Sequence, residues 1–474
     1  MIRTFVLLTA YGEGYAAALQ AKLSGCDVVV GMVEDIDMIQ SDDELNNPNY
    51  KKESAEDKKR RLSTYEGILK HYPIQKVVDT LLSLSDDEKE DYFVYSDMNY
   101  VWRYSQQLEG KGIAGNFPNE EDRILENDRK AAKDFVKKNY EDVHVQDVKE
   151  YSNIEEATKD LEGTYDIYVL KGNDAEAETV VPQKNDSRMM SKKLIKLLKR
   201  NRKEYEKGGF ILEKKIIDPI EITPQLYFWN GEPVYSTIDI ELKHRYAGDQ
   251  GEMIGCAANL VFETDMQCRL NKMAFPKAIL DKYANRQGLS MIDCGILIDP
   301  VDGRMYFTEY CTRFGYDQFY TELEMVGGII NWCETIAQGQ NPMPYKNGKF
   351  GMGVRWMNTH KEEDYAQELD VDVESNVADH VWLYWCKMEG GTIKTCGYAD
   401  DIALITASGD TIEDATNRVF SYAQGFDCDD ATARPVHDIL SLDYPGSIMN
   451  RYNYILSRGL LEVGDVPEDV FKYE

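Results

Sequence analysis

"MIDCGILIDPVDGRMYFTEYC" (residues 291–311) is two apolar runs separated by Asp302-Gly303, the pattern of a β-hairpin. The return strand runs on through "YFTEYCTRFGYDQFY" (306–320) and sets Glu309, Cys311 and Arg313 at alternate positions. Residues two apart in a strand share a face, so a carboxylate, a thiol and a guanidinium point the same way. A carboxylate at the end of a buried strand requires a counter-charge or a metal. On spacing alone, a surface strand carrying a Glu–Arg pair is the simpler reading, and the surrounding chain has to decide.

Working outward, "ITPQLYFWNGEPVYSTIDIELK" (222–243) is a second hairpin, turning at Asn230-Gly231. "TYDIYVLKG" (164–172) and "GGFILEKKIID" (208–218) read as strands, and "NEEDRILENDRKAAKDFVKKNY" (119–140) as one periodic helix. The chain opens with a β-α-β pattern whose first apolar run ends at Gly12-Glu13-Gly14. A glycine pair there either brings backbone N–H groups to an anion at a helix N-terminus or makes a tight turn. "DYFVYSDM" (91–98) and "GIAGNF" (112–117) resume the strand pattern, whereas the polar residues 41–64 read as a long surface insertion. Near the C-terminus, Asp410-Thr411 reads as a helix cap, with Glu413 in the first turn.

The 474 residues carry 84 acidic and 54 basic side chains, a net charge of −30. Such a field repels phosphate backbones at long range and argues against nucleic-acid binding. The basic stretch at 191–209 reads as an amphipathic helix with one solvated face. Nine scattered cysteines contain no CxxC pair, which gives a structural zinc site little support. No apolar run approaches a membrane span. These features lead us to expect a soluble, cytoplasmic protein of two to four domains.

The order of these pieces resembles the ATP-grasp ligases, and among them the phosphoribosylamine–glycine ligase family. The resemblance runs from the first strand to about residue 435. It is strongest at "LENDRKAAKDF" (125–135), "NGEPVYSTIDIELKHRYAGDQGE" (230–252), "GILIDPVDGRMYFTEYCTRFG" (295–315) and "GYADDIALITASGDTIEDATNRVFSYAQG" (397–425). It implies an α/β and α+β multidomain fold. A Rossmann-like domain occupies 1–120, and a two-lobed ATP-grasp domain 121–340, its smaller nucleotide-binding lobe at about 140–212. A β-rich domain follows at 341–435 and an extension at 436–474.

The resemblance also implies a reaction and a site. ATP phosphorylates a carboxylate, an amine attacks the acyl phosphate, and an amide, ADP and phosphate leave. Phosphoryl transfer of this kind needs positioning and charge neutralisation more than a covalent nucleophile. Glu309 matches the family's metal-binding glutamate, for Mg²⁺ or Mn²⁺, and Lys171 its phosphate-contacting lysine. Arg129 matches a basic residue on the preceding helix. Glu213 matches the strand whose backbone meets adenine, and Glu221 a carboxylate that holds the ribose hydroxyls. Arg313 matches the arginine of an "RFG" run that meets the transferred phosphate or the acid substrate. Each also has an ordinary reading, as a strand salt bridge, a solvated strand end or a loop acid.

Three departures stand beside these matches. Cys311 replaces an asparagine two residues after the metal-binding glutamate, and a thiol is a poor partner for Mg²⁺. The metal would then turn to a nearby acid such as Asp293 or Asp299. "GNDAEAETVV" (172–181) puts acids where the family has a flexible Gly-Lys-Gly, and "YSDMNYVWRY" (95–104) replaces a segment near the phosphoribosyl substrate. The implied purine-biosynthetic pair is glycine with phosphoribosylamine. The departures keep two alternatives open: a ligase for a different amine such as a modified nucleotide, or a non-catalytic binding or assembly protein.

Overall fold

"TFVLLT" is buried at all six positions and forms the first strand, β1 (Thr4–Thr9). The other strands of its sheet are β2 (Asp27–Met32), β3 (His71–Pro73), β4 (Tyr92–Ser96) and β5 (Ala114–Gly115). Every pairing is parallel and the order is β3-β2-β1-β4-β5. Parallel sheets are covered on both faces. Accordingly, Val6 and Leu8 join one apolar cluster while Phe5 and Leu7 join another. The helix Tyr15–Leu23 links β1 to β2, so the expected βαβ opening is present.

The computed structural model describes residues 1–40, 52–172, 180, 187–343, 347–359, 367–462 and 464–465. They fall into two compact units, Met1–Asp128 with Glu221–Gly295 and Tyr310–Glu474, and Arg129–Ile220 with Ile296–Glu309. The expected nucleotide-binding lobe, 140–212, lies within the second. The segments 1–120, 341–435 and 436–474 all lie in the first.

Two expectations about local structure need correction. The surface insertion at 41–64 contains the helix Ala55–Leu62, and Arg61 on it is fully buried. Its guanidinium donates to the carbonyls of Ala10 (3.0 Å) and Val33 (2.7 Å) and binds both oxygens of Glu53. Residues 41–51 lie outside the described residues. The single helix at 119–140 is two, Glu120–Asn127 and Arg129–Asn139, because Asp128 leaves the helical region at φ −90°, ψ 88°.

In the second unit, after the short strand β6 (Val143–His144), come β7 (Val148–Tyr151), β8 (Tyr168–Gly172) and β9 (Phe210–Lys214). The last three form an antiparallel sheet in the order β7-β9-β8. Helices Ile154–Glu162 and Ser187–Arg200 pack on it through Ile154, Leu161, Leu194 and Leu198 against Leu170 and Leu212. Lys192, Lys193, Lys196 and Lys199 stay exposed, so the basic stretch is a solvated helix face, as its pattern predicts.

The first unit continues with β10 (Ile220–Trp229), β11 (Glu232–Tyr246) and β12 (Gln250–Thr264). Asn230 and Gly231 both have positive φ, 49° and 84°, the geometry that a two-residue hairpin turn demands. β13 (Leu289–Ile298) and β14 (Met305–Cys311) are joined through Asp302-Gly303, and the hairpin's outer part, Ile296–Glu309, belongs to the second unit. β15 (Phe350–Asn358) pairs with β12 over Ala258–Phe262, which makes the segment after 341 continuous with the central sheet. Thr411 caps the helix Ile412–Tyr422, accepting from the Asp414 N–H, and Glu413 sits in its first turn.

Candidate active site

In the second unit, β8 and β9 bring Lys171 and Glu213 together, with Val169 directly opposite Glu213. Lys171 Nζ lies 2.9 Å from Glu213 Oε1. Lys133 Nζ, from the helix Arg129–Asn139, lies 2.6 Å from the other oxygen. Glu213 is only 6 % exposed and Lys171 19 %. Burial pushes the Glu213 carboxyl up, but the charges of Lys171 and Lys133 outweigh it and hold the pKa below the usual range. Burial, reinforced by Lys171 and Arg129, lowers the Lys133 pKa. Two ammonium groups thus share one carboxylate, which leaves a surplus positive charge.

Sequence reading missed Lys133. It follows Arg129 by four residues and so lies on the same helix face, a spacing visible in "DRKAAK". Arg129 itself is exposed at the start of that helix. Glu309, near the end of β14, is exposed rather than buried, and it makes no hydrogen bond or ion pair among the described residues. Asp299 accepts from the Val301 N–H at 2.8 Å in the turn before β14. The acidic loop expected to face the phosphates lies, at 173–179 and 181, outside the described residues.

In the first unit, β14 ends at Cys311, so Arg313 lies beyond the strand and the three-residue alternation stops short of it. Arg313 Nε donates to Glu126 Oε1 at 3.1 Å, and its guanidinium stacks on Tyr316, 5.4 Å from the ring centre. Glu126 Oε2 also accepts from Asn99 Nδ2 (2.8 Å) and the Thr312 N–H (2.9 Å). Cys311 gives its backbone N–H (2.7 Å) and its thiol to Asp293. That bond and its softness make the thiol unfit as a ligand for a hard metal ion. Burial raises the Asp293 pKa to about 7, opposed by Arg313. Glu221 is paired with Lys243 at 2.7 Å, an ion pair on the β10–β11 hairpin.

The same unit holds an acidic pair that sequence reading passed over. β1 and β4 are neighbours, and the chain winds to opposite sides from them, which makes their C-terminal ends the topological switch point of the sheet. Glu13 follows β1 and Asp97 follows β4. Asp97 is fully buried and Glu13 9 % exposed. The Gly14 N–H donates to Asp97 Oδ2 at 2.8 Å, so the glycine pair does meet an anion, and it is the protein's own. Burial raises both pKa values, Glu13 to about 8, reinforced by Asp97, and Asp97 to about 7.

Among the described residues, no group of three or more His, Cys, Asp or Glu side chains is arranged to hold a metal ion. Mg²⁺ in nucleotide sites is held by one or two carboxylates together with phosphate oxygens and water. The exposed, unpartnered carboxylate of Glu309 fits that smaller requirement, and Cys311 does not.

The architecture, a parallel α/β sheet followed by a small antiparallel lobe and a large antiparallel sheet, is the ATP-grasp fold. Solved structures that share it include the phosphoribosylamine–glycine ligase of Thermotoga maritima, 15 % identical, with a TM-score of 0.59 over 91 % of this chain and 99 % of that one. The biotin carboxylase of Campylobacter jejuni, in complex with β,γ-ATP, is 12 % identical, with a TM-score of 0.55 over 98 % of each chain. The biotin carboxylase domain of Hydrogenobacter thermophilus 2-oxoglutarate carboxylase, in complex with MgADP and bicarbonate, is 13 % identical, with a TM-score of 0.54 over 98 % and 99 %. No protein-family model matches the chain. No curated protein matches it.

Proposed function

We propose that this protein is an ATP-dependent carboxylate–amine ligase acting through an acyl phosphate. The observation that carries the reading is the Lys133–Glu213–Lys171 cluster on the small antiparallel lobe of an ATP-grasp fold. Its surplus positive charge offers two ammonium donors to phosphate oxygens. Glu213 holds both lysines in place, so they meet a nucleotide without having to be ordered by it. Glu309 is the residue that would hold a divalent ion, Mg²⁺ or Mn²⁺, which would neutralise charge on the transferred group. Arg313 is fixed by Glu126 and Tyr316 and directs its remaining guanidinium donors to an anionic acid substrate or its phosphate. Glu221, paired with Lys243, remains a candidate for the ribose hydroxyls, and Arg129 for an outer phosphate contact.

The acid is an amino acid such as glycine. For the amine, phosphoribosylamine is the partner named by the Thermotoga relative. Asp97, within the rewritten segment 95–104, favours a different amine, because a buried carboxylate opposes a phosphate group. ADP release by the full chain, with Mg²⁺ or Mn²⁺ and a panel of amino acids and amines, tests the reading. Release that depends on both substrates and disappears in Glu309→Ala is expected. Absence of ATP binding by calorimetry with either metal would leave a non-catalytic binding protein instead.

A further inference from the structure

The switch point of the parallel sheet carries more unmet acceptor capacity than a sealed core tolerates. Glu13 Oε2, Asp97 Oδ1 and Asn99 Oδ1 are each buried without a hydrogen-bond partner. Asn99 is fully buried, and its Nδ2 donates to Glu126 and Thr312, which leaves its Oδ1 as the unmet atom. A buried oxygen without a donor costs on the order of a hydrogen bond's desolvation, and buried groups of this kind are normally satisfied. The three belong to two consecutive strand ends, Glu13 after β1 and Asp97 and Asn99 after β4. In open parallel sheets this is the crevice that ligands occupy. All three of these unmet atoms are acceptors, and the unpartnered Tyr95 hydroxyl beside Asp97 has a single proton to give, so at least two acceptors still lack a donor. Two of the three belong to carboxyls that burial holds largely protonated near neutral pH in the empty protein, and a cationic donor is the partner that lets such groups ionise, so the donor that completes the site is cationic.

We propose that Glu13, Asp97 and Asn99 form a binding site for a small organic cation bearing a primary ammonium group, with no phosphate. An ammonium has three donors and no acceptor, which matches three acceptor oxygens one for one. A phosphate would bring its negative charge against two buried acidic groups, whereas an ammonium would not. The inference deepens the ligase reading, on which it rests for the statement that this cation is the amine to be acylated. The site itself does not require ATP.

The test is calorimetric titration of the full chain, without nucleotide, using 1,4-diaminobutane as the probe and ribose 5-phosphate as its anionic counterpart. The diamine is expected to bind, and Asp97→Asn and Glu13→Gln are each expected to weaken it by about tenfold or more, the scale of a charge-assisted contact. Both replacements keep side-chain size, and a thermal melt of each variant reports folding. A rise in the wild-type melting temperature with the diamine, absent with KCl at equal ionic strength, reads the same binding without any variant. No binding or thermal shift at about 10 mM diamine, or stronger binding of ribose 5-phosphate, would overturn the proposal. That result alongside intact substrate-dependent ADP release removes the cation site alone. Diamine binding without any ADP release removes the ligase reading and leaves the site.

Discussion

Lys171 and Glu213 meet across neighbouring antiparallel strands, ammonium to carboxylate at 2.9 Å, and Lys133 closes on the same carboxylate from the opposite oxygen. Replacing Glu213 by Gln would leave two ammonium groups facing each other in a nearly buried place. Removing one partner of a buried ion pair costs about 3–5 kcal/mol, and the partial exposure of the lysines puts this case at the lower end. Glu213→Gln is therefore expected to lose about 3 kcal/mol in denaturant unfolding. Lys171→Ala leaves Lys133 and Glu213 as a neutral pair and is expected to fold. Its loss should appear in ATP affinity, about tenfold or more by calorimetry. Equal ATP affinity in the Lys171→Ala protein would remove the cluster from the nucleotide site.

Glu309 is exposed and unpartnered among the described residues, so Glu309→Gln should leave stability within about 0.5 kcal/mol of the parent. The same change should abolish the dependence of nucleotide binding on Mg²⁺. Calorimetric titration of ATP with and without Mg²⁺, in parent and variant, checks this. A variant that retains the full metal effect would show that Glu309 is not the metal's carboxylate.

Glu322 lies in the core of the first unit and accepts from Tyr227 (3.1 Å), Tyr235 (2.5 Å) and the Trp332 indole (3.2 Å). Burial raises its pKa from the usual 4.5 to about 7, and these hydrogen bonds oppose the rise. The folded state thus holds a proton that the unfolded chain releases between pH 4.5 and 7. Stability from this group is full below pH 4.5 and falls as pH rises through about 7. Its share is on the order of 3 kcal/mol, at 1.36 kcal/mol per pKa unit. Urea unfolding of Glu322→Gln against the parent at pH 5 and pH 8 should show the parent's extra decline and a flatter variant. Parallel curves would rule out Glu322 as its source.

Gly14 stands where the chain from β1 passes the end of β4. A Cβ there would lie 2.6 Å from Leu7 Cδ1 and 2.8 Å from Asp97 Cβ. Both neighbours are buried and cannot withdraw into solvent. Gly14→Ala is expected to destabilise the chain by about 1–3 kcal/mol, as overpacking does, and denaturant unfolding reads it. Gly25→Ala serves as a control with an open surrounding, although its φ of +90° makes that change strained as well.

The parts of the fold that were legible in sequence are those set by local chemistry. Asn230-Gly231 demands a tight turn, Thr411 offers a cap, and the short continuous apolar runs "TFVLLT" and "YFVYS" mark strands buried on both faces. Arg61 was illegible for the opposite reason. Its partners are two carbonyls and Glu53, and only the folded chain brings Ala10 and Val33 to it, so "KKRR" looks like a solvated charge run. The break at Asp128 was also hidden, because helical periodicity continues across it. In the candidate site, Lys171 and Glu213 stand on strands that the sequence marks, whereas Lys133 required attention to helical spacing. Glu13 and Asp97 are 84 residues apart in the chain, and each looks like an ordinary acid after an apolar run. Their meeting follows from the sheet order alone.

In the proposed reaction a phosphoryl group passes to a carboxylate before the amine attacks. That step leaves one carboxylate oxygen in the released phosphate, since the amine expels the phosphate from the acyl carbon. Turnover of the full chain with ATP, Mg²⁺, ¹⁸O-carboxyl-labelled glycine or another active amino acid, and the amine, followed by mass spectrometry of the phosphate, reads this directly. The predicted result is one labelled oxygen in the phosphate for each amide formed. Unlabelled phosphate accompanying amide formation would contradict an acyl phosphate, and with it the chemistry assigned to this site.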